Sequence, residues 1–511
     1  MYSKINTIGL YGLNAYKVEV EADISRGMPS FDIVGFADNV VRESRERIKA
    51  AAKASGVELP VSKITINLAP ADTKKSGTSI DLPILMSILC AFGYFQEDFN
   101  DCAFIGELAL NGDVRSVNGV LPMVLCAANQ GIKRIFVPFD NAFEASVADG
   151  IEIYGVKNLN ELYEHLKGEN TLKAAEKYTA PINAYEYPLD FKDVKGQRNA
   201  KLALEIAAAG GHNALLIGAP GSGKSMLAKR MPGILPVMTF EESIETTMLY
   251  SISGMLDKDT PLITKRPFRA PHHTISGAGL AGGGTMPRPG EISLSHNGLL
   301  FLDELAEFDR RTLEIMRQPL EDGCVTISRV GGTVSYPCNI MLIAAMNPCP
   351  CGYFGNTHRK CTCSQKTVKN YLSKISGPLL DRFDLHVDVA PVEYESLNSR
   401  TEEESSETVR TRVENARKIQ EKRFEGTKIN CNANITADIM RDVCVMSDDA
   451  NSFLKAIFEK LGLSARAYDR ILKVSRTIAD LSNSERIEKA HIAQAVAYRS
   501  LDKKYWGSMQ D

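Results

Sequence analysis

The segment Gly218-Ala219-Pro220-Gly221-Ser222-Gly223-Lys224-Ser225 decides how the centre of this chain folds. It fits the pattern G-x-x-x-x-G-K-[ST] and follows the apolar run 214–217, which predicts a strand, a phosphate-binding loop and then a helix. In such a loop the glycines let backbone N–H groups turn toward phosphate oxygens, and the helix points its positive end at them. Lys224 would supply a charge to the β and γ phosphates, and Ser225 a hydroxyl to Mg²⁺. The segment therefore predicts a site for ATP and Mg²⁺.

A second apolar run, 298–302, ends in the adjacent carboxylates Asp303 and Glu304. In a P-loop enzyme, Asp303 can complete the Mg²⁺ shell and Glu304 can polarise the attacking water. An acid-ended strand is weak evidence by itself, because strands often end in acids. Downstream of a phosphate-binding loop it predicts that the bound nucleotide is hydrolysed.

Two later segments place polar side chains where hydrolysis needs them. The apolar run 341–346 ends in Asn347, a position from which an amide can hold the lytic water. Arg382 is a candidate arginine finger for the γ-phosphate of a neighbouring subunit. The spacing equally permits a structural ion pair of Arg382 with Asp381 or Asp384, and both interpretations stay open.

Length and composition indicate a multidomain globular protein. The chain has 511 residues, is 44% hydrophobic and 24% charged, and carries a formal net charge of -3. That charge does not indicate nucleic-acid binding, although a ring can concentrate basic side chains in its channel. The first residues lack a signal-peptide pattern, and the apolar run 82–95 is too short to span a membrane. We predict a cytoplasmic protein without a membrane partner.

Periodicity divides the chain into three domains and a linker. Residues 16–24 and 63–68 alternate like half-buried strands, and helical spacing lies between them at 40–55. Strands then alternate with helices after 188, which predicts a parallel sheet with crossover helices. The predicted boundaries are 1–168 for an α/β domain, 169–187 for a polar linker, 188–395 for a P-loop core with a cysteine loop at 345–365, and 396–511 for a helical domain.

Four of the eleven cysteines form a cluster: Cys349, Cys351, Cys361 and Cys363. Four thiolates on a loop rich in turn-forming residues can surround a tetrahedral Zn²⁺. The C-x-C spacing is tighter than the usual C-x₂₋₄-C of zinc sites, so reduced loop thiols or a redox pair remain alternatives. The other seven cysteines are scattered, and we expect them to be reduced core residues.

Together and in this order, these elements resemble the AAA+ superfamily. Several segments resemble one of its branches, the ComM/YifB family of the magnesium-chelatase-like group, and the resemblance covers essentially the whole chain. The most specific segments are Tyr11–Leu13, Gly27–Gly35, Lys195–Gln197, Arg266–His273, Pro287–Gly298 and Leu463–Arg470.

The resemblance implies further roles. Gln197 would lie near the adenine, and Arg466, at the start of a helix of a C-terminal helical lid, would contact the γ-phosphate as a second sensor. Residues 271–292 look like a helix-2 insert and 325–335 like a pre-sensor-1 hairpin. Both insertions point into the channel in this clade. Arg288 and Arg329 are accordingly DNA-contact candidates, with ordinary solvated surface positions as the alternative.

The N-terminal domain resembles the ribosomal-S5-like fold that Lon-type proteases share. Ser79 aligns with the Lon nucleophile, whereas Leu121 stands where the lysine base should be. A serine hydroxyl without a base is a poor nucleophile. We expect a domain that is not proteolytic.

The resemblance implies an ATP-driven DNA motor: a homohexamer that migrates branched or three-strand DNA joints during recombination or natural transformation. A chelatase-type ATPase that remodels protein partners is the alternative, and the core motifs do not distinguish the two. The additional N-terminal domain, the C-terminal lid and the cysteine loop favour the DNA motor.

Overall fold

The structure is a computed structural model, and it describes residues 1–95, 98–179, 187–284, 287–329, 332–356, 359–391, 403–499 and 501–506. The chain divides into two compact units. The first comprises Met1–Asn183, Phe240–Thr264 and Ser328–Tyr336, and the second comprises Ala184–Thr239, Lys265–Ile327 and Pro337–Asp511.

The N-terminal part of the first unit is built on a mixed seven-stranded sheet, in the order β3-β4-β2-β1-β5-β8-β9. The strands of the sheet are β1 (Tyr2–Tyr11), β2 (Asn14–Ser25), β3 (Ser30–Val34), β4 (Lys63–Ala69), β5 (Cys102–Phe104), β8 (Arg134–Pro138) and β9 (Glu152–Val156). Strands β6 (Glu107–Leu108) and β7 (Val114–Arg115) form a separate two-stranded sheet. The helices of this part are α1 (Asn39–Ala54), α2 (Asp81–Ala91), α3 (Val120–Asn129), α4 (Phe139–Ala145) and α5 (Leu159–Lys167). The two predicted strands and the helix between them are confirmed as β2, β4 and α1.

The apolar run that begins at Leu82 forms the buried helix α2. Its first residue, Asp81, is fully buried, and its carboxylate accepts hydrogen bonds from Arg47 at 2.6 and 3.0 Å and from Ser44 at 2.5 Å. A buried charge is tolerated only when it is paired in this way. The ion pair therefore ties α2 to α1 inside the core of the first unit.

The central part of the chain contains a five-stranded sheet in the order β11-β14-β17-β10-β18, with every neighbouring pair parallel. The elements here are α6 (Arg198–Gly210), β10 (Ala214–Ile217), α7 (Lys224–Arg230), α8 (Phe240–Ser253), β11 (Phe268–Arg269), α9 (Gly277–Ala281), β12 (Gly282–Gly283), β13 (Arg288–Pro289), α10 (Glu291–Leu294), β14 (Leu299–Leu302), α11 (Arg310–Ile315), α12 (Arg317–Asp322), β15 (Cys324–Arg329), β16 (Gly332–Pro337), β17 (Met341–Met346), α13 (Gln365–Leu372), α14 (Gly377–Leu380) and β18 (Leu385–Asp388). The predicted parallel sheet is confirmed. Because the carboxyl ends of parallel strands meet at one edge, the segments after β10, β14 and β17 share that edge.

In the described residues 403–499 and 501–506, the C-terminal part contains helices and no strands. Its helices are α15 (Ser406–Arg423), α16 (Met440–Val443), α17 (Asp448–Leu461), α18 (Ala465–Leu481), α19 (Lys489–Ala497) and α20 (Leu501–Trp506). Helix α15 packs on α6, where Gln420 Nε2 donates to the Ala209 carbonyl at 3.0 Å and Arg412 pairs with Glu205 at 2.6 Å.

Five predicted features fall wholly or partly outside the described residues: the boundary at 395–396, the linker at 180–186, the helix-2 insert at 285–286, the hairpin turn at 330–331 and the cysteine loop at 357–358. Residues 169–179 contain neither a helix nor a strand, but Ala174 forms an isolated bridge with Tyr154. The N–H groups of Ala175 and Tyr178 also donate to the carbonyls of Ile153 and Ser146, at 2.7 and 3.0 Å. In the described part of the chain, no helix is long and apolar enough to cross a membrane.

The segment Phe240–Thr264 groups with the first unit, although it lies within the predicted ATPase core. Leu262 is buried in an apolar cluster with Leu121 and Val147, and Met248 of α8 packs against the same cluster. The sequence prediction did not anticipate this grouping, because periodicity identifies an apolar helix face but not the surface that covers it.

Candidate active site

The P-loop, Gly218–Ser225, leaves the carboxyl end of β10 in the five-stranded sheet. Gly223 has a φ of 91°, a left-handed conformation that glycine adopts without a side-chain penalty. Lys224 is buried, and its ammonium donates to the carbonyls of Gly218 and Ala219 at 2.8 and 2.9 Å. The loop thus holds a positive charge within its own backbone turn.

Two side chains with oxygen ligands for a metal, Ser225 and Asp303, are hydrogen-bonded to each other after Lys224. Ser225 Oγ donates to Asp303 Oδ2 at 2.6 Å, and Asp303 follows β14 directly. Burial lowers the pKa of Lys224, and the Asp303 carboxylate opposes that shift. Hydroxyl, carboxylate and phosphate oxygens are the ligands that Mg²⁺ uses in P-loop sites, so Ser225 and Asp303 fit the predicted metal position.

Glu304 has a backbone conformation that is unusual for a residue with a Cβ atom. Its φ is 53°, a left-handed conformation that costs free energy in any residue with a Cβ and that recurs at functional sites. Its backbone N–H donates to Asp303 Oδ1 at 2.9 Å, while its carboxylate is more than half exposed. Glu304 Oε2 lies 3.4 Å from His273 Nδ1.

His273 is a site residue that the sequence analysis missed as a functional candidate. It ends the distinctive segment Arg266–His273. That segment contains β11, the strand that pairs with β14 in the sheet. The signal available in the sequence was a pair of histidines shortly after a strand. Its position makes it a partner for the Glu304 carboxylate.

Asn347 follows β17 and lies next to the P-loop lysine. Its side-chain oxygen accepts from Lys224 Nζ at 3.2 Å, and the adjoining Met346 carbonyl accepts from the Gly218 N–H at 3.3 Å. The structure therefore brings four predicted site residues to one sheet edge: Lys224, Ser225, Asp303 and Asn347.

Gln197 is positioned by the end of the P-loop. Its Nε2 donates to the carbonyl of Ser222 at 3.1 Å and of Ala390 at 2.6 Å, and its own φ is 55°. The preceding Gly196 N–H donates to the Glu403 carboxylate at 2.8 Å. Glu403, at the start of the described C-terminal residues, is thus bonded to the loop before α6.

The two candidate arginines have acidic partners within their own chain. Arg382 pairs with Glu321, and Arg466 Nη1 lies 3.9 Å from Asp381 Oδ2. The ion pair that the sequence considered for Arg382, with Asp381 or Asp384, is replaced by this pair with Glu321. The Arg466 side chain is 67% exposed, which leaves it free to turn toward another partner.

The predicted insertions contain short regular elements. Within 271–292 the described residues form α9, the ribbon of β12 and β13, and the start of α10. The hairpin is confirmed as β15 and β16. Arg288 in β13 and Arg329 at the end of β15 are both exposed, as a residue that contacts a macromolecule must be.

The four clustered thiols converge on one point. Their sulfur atoms all lie within 4.8 Å of one another. The Cys349 sulfur is 3.3 Å from that of Cys351 and 3.7 Å from that of Cys361, and Cys351 and Cys361 are 3.5 Å apart. Sulfurs at 2.3 Å from a tetrahedral zinc ion are about 3.8 Å apart, so the donor set and its spacing fit this metal.

The position predicted for the Lon base holds an apolar side chain in the first unit. Leu121 is fully buried against Val147 and Leu262. Ser79 is buried as well, and its carbonyl accepts from the Gly106 N–H at 2.9 Å. Lys75, four residues before Ser79, is also buried, and burial lowers its pKa. The absence of proteolytic activity stays a prediction.

Family models match most of the chain. The model for magnesium chelatase subunit ChlI matches residues 190–397, a second model for subunit ChlI matches 20–141, and the ChlI C-terminal model matches 403–499. The chain belongs to the magnesium-chelatase-like AAA+ family, in the branch that includes ComM and YifB. This family implies an ATPase that uses ATP and Mg²⁺.

Individual relatives define that branch. The competence protein ComM of Haemophilus influenzae is 42% identical over 96% of both chains. The uncharacterized protein YifB of Escherichia coli is 40% identical over 98% of this chain and 97% of its own. Lon protease 2 of Bacillus subtilis is 28% identical, over 32% of each chain.

Replacing Glu304 by Gln tests its assignment to the attacking water. The amide keeps the size of the side chain but cannot take a proton, so we expect kcat for ATP hydrolysis to fall about 100- to 1,000-fold with nucleotide affinity retained. Steady-state hydrolysis and equilibrium binding of a fluorescent ATP analogue measure the two effects. Glu307→Gln, at an exposed carboxylate nearby, is the matched control. An unchanged kcat in Glu304→Gln would remove Glu304 from the mechanism.

Proposed function

We propose that this protein is an ATP-driven DNA motor, a homohexamer that migrates branched DNA joints during recombination or natural transformation. The observation that carries the ATP-driven half is the grouping of Lys224, Ser225, Asp303 and Asn347 at one edge of a parallel sheet. The DNA half is supported by near full-length similarity to a competence protein.

The proposed reaction follows from the chemistry of these groups. Lys224 would neutralise the β and γ phosphates, while Ser225 and Asp303 would hold a Mg²⁺ ion that offsets the negative charge of the phosphates. Glu304 orients and polarises water for in-line attack on the γ-phosphorus, and Asn347 holds that water in place. Gln197 flanks the adenine. The bond from the γ-phosphorus to the bridging oxygen breaks, and ADP leaves with that oxygen.

The site is proposed to be shared between subunits. Arg382 from a neighbour would neutralise the charge that develops on the γ-phosphate, and Arg466 on the C-terminal lid would contact the same phosphate within its own subunit. The Arg466 pair with Asp381 lies at the surface, where ion pairs are weak enough to exchange. The Arg382 side chain is only 17% exposed and would have to leave Glu321 to reach a neighbouring subunit. Hydrolysis would then be linked to movement of one subunit against the next.

DNA is proposed to contact the two insertions. Arg288 and Arg329 are exposed cations on short β-ribbons, and the net charge of -3 means that any DNA contact must come from a local concentration of such residues. Phosphate contacts of this kind depend on salt and not on base sequence, which suits a motor that tracks along DNA. The domains proposed around this core are 1–168, the linker 169–187, the ATPase core 188–395 and the helical lid 396–511.

A second candidate is an ATPase that remodels protein partners in the manner of a chelatase. It is favoured by the family models, all three of which describe magnesium chelatase subunit ChlI. The two candidates use the same ATP chemistry and differ in what stimulates it.

DNA stimulation of ATP hydrolysis separates the two candidates. With a synthetic four-way junction at low salt, we expect the protein to bind and its ATPase rate to rise at least about tenfold, with binding lost as salt increases. Linear duplex of the same length and the protein without DNA are the controls. A junction that neither binds nor stimulates an otherwise active ATPase would reject the DNA motor and favour the remodeling ATPase.

A further inference from the structure

We propose that Cys349, Cys351, Cys361 and Cys363 hold a structural zinc ion that braces the P-loop, so that zinc occupancy controls nucleotide affinity. This inference rests on the proposed nucleotide site and is independent of DNA movement. Among the residues that the structure describes, the potential metal ligands grouped here are the four cysteines. An all-thiolate set favours zinc over Mg²⁺ or Ca²⁺, which prefer oxygen ligands.

The surroundings of the sulfurs suit a metal-bound thiolate set. The Phe354 N–H donates to the Cys349 sulfur at 3.3 Å, and the Cys363 N–H donates to the Cys361 sulfur at 3.4 Å. Such N–H groups stabilise negative sulfur and orient it toward the ion. Cys349 is fully buried, whereas the other three thiols are only half-buried, so an ion has a path into the site.

The charges beside the cysteines also favour a bound zinc ion. Four thiolates around Zn²⁺ carry a net charge of -2, and two cations, Arg359 and Lys360, directly precede Cys361. Arg359 also fastens the loop to itself, since its guanidinium lies 4.2 Å from the centre of the Tyr353 ring and donates to the Tyr353 hydroxyl at 2.9 Å.

The cysteine loop touches the nucleotide site at both sides of Cys349. On one side, only Pro348 separates Cys349 from Asn347, whose amide accepts from Lys224. On the other, Gly352 lies against the P-loop: a Cβ placed on it would be 2.3 Å from Cδ of Pro220. Gly352 has a φ of 83° and its N–H donates to the Cys349 carbonyl at 2.9 Å. The metal would therefore fix a short turn that contacts the P-loop at Pro220 and carries Asn347.

Zinc content and nucleotide affinity are measured on the same preparations of the full chain. We expect about one zinc and no iron per chain in the wild type, and less than about 0.3 zinc in Cys361→Ser. Affinity for a fluorescent ATP analogue should fall about tenfold in that variant and in wild-type protein stripped with a chelator, and readdition of zinc should restore the stripped wild type. Cys324→Ser, at a half-buried thiol outside the cluster, should change neither quantity.

Gly352→Ala tests the brace without removing a ligand. We expect it to keep its zinc yet bind the nucleotide about tenfold more weakly, because the new methyl group displaces Pro220. Gly426→Ala is the matched control: its φ is 78°, and nothing lies within 4 Å of the added Cβ, so it carries the same backbone strain without the contact.

The outcomes are separable. Wild-type protein with intact thiols but less than about 0.3 zinc per chain overturns the metal site. Zinc that can be removed without changing nucleotide affinity, or a Gly352→Ala variant with normal affinity, overturns the brace. Zinc-loaded wild type that binds no nucleotide contradicts the proposed function instead. If Cys361→Ser does not fold, the chelated wild type and Gly352→Ala still decide the question.

Discussion

Lys224→Ala is expected to abolish ATP hydrolysis, with kcat/KM at least about 1,000-fold lower than in the wild type. The reason lies in the geometry of the P-loop. The Lys224 ammonium is buried and donates to the carbonyls of Gly218 and Ala219 and to Asn347 Oδ1. The P-loop pattern assigns this charge to the β and γ phosphates. Alanine removes that charge and leaves three acceptors without their donor. Nucleotide affinity should also fall, by at least about tenfold, because a charge-assisted contact is lost.

The control for this variant is Lys229→Ala. Lys229 lies on the same helix, α7, but it is exposed and outside the P-loop. The Lys229→Ala variant should hydrolyse ATP at the wild-type rate. That result would show that the loss of activity in Lys224→Ala comes from the P-loop lysine and not from losing any lysine charge on this helix. Lys224→Ala with retained fold, as judged by thermal unfolding, and with more than about a tenth of wild-type activity would contradict the assignment of the site.

Arg382→Ala is expected to lower kcat about 1,000-fold while leaving nucleotide binding within about threefold of the wild type, the pattern of a group that acts in the transition state. The proposed role in trans gives a sharper test. Subunits with Arg382→Ala keep an intact P-loop, and subunits with Lys224→Ala keep an intact arginine. Equal mixtures should therefore regain activity, because about a quarter of the interfaces in a heterologous ring then join a working P-loop to a working arginine.

A competing explanation is that Arg382 serves only its ion pair with Glu321. Glu321→Gln removes the charge of that partner and leaves the arginine, so it should retain most of the wild-type rate if Arg382 acts on phosphate. Activity as low in Glu321→Gln as in Arg382→Ala would indicate a structural ion pair. Mixed rings that assemble normally, by light scattering, but stay inactive would exclude action in trans.

The local parts of the site follow from sequence because their signals are local. A short apolar run before glycines and a lysine predicts β10 and its P-loop, and a run that ends in Asp303 predicts β14. The parallel sheet then brings the ends of these strands together whatever the loops between them contain. For the same reason Asn347 is found beside Lys224, as its place at the end of β17 indicates.

Contacts between distant segments could not be read in this way. Nothing in the spacing pairs Arg382 with Glu321, or sets His273 at 3.4 Å from Glu304. The left-handed backbone of Glu304 is equally hidden, because side chains with a Cβ rarely adopt it and only tertiary structure can impose it. The grouping of Phe240–Thr264 with the first unit depends on which surface covers an apolar helix face, a choice that periodicity leaves open.

The most direct test of the proposed motor is branch migration followed in real time. A four-way junction with fluorophores at the ends of two arms reports separation of the products when the branch point moves to the end. With ATP and Mg²⁺, we expect the wild type to resolve the junction, and Glu304→Gln to bind the same junction but leave it intact. A wild type that hydrolyses ATP and binds the junction yet never moves the branch point would contradict the account.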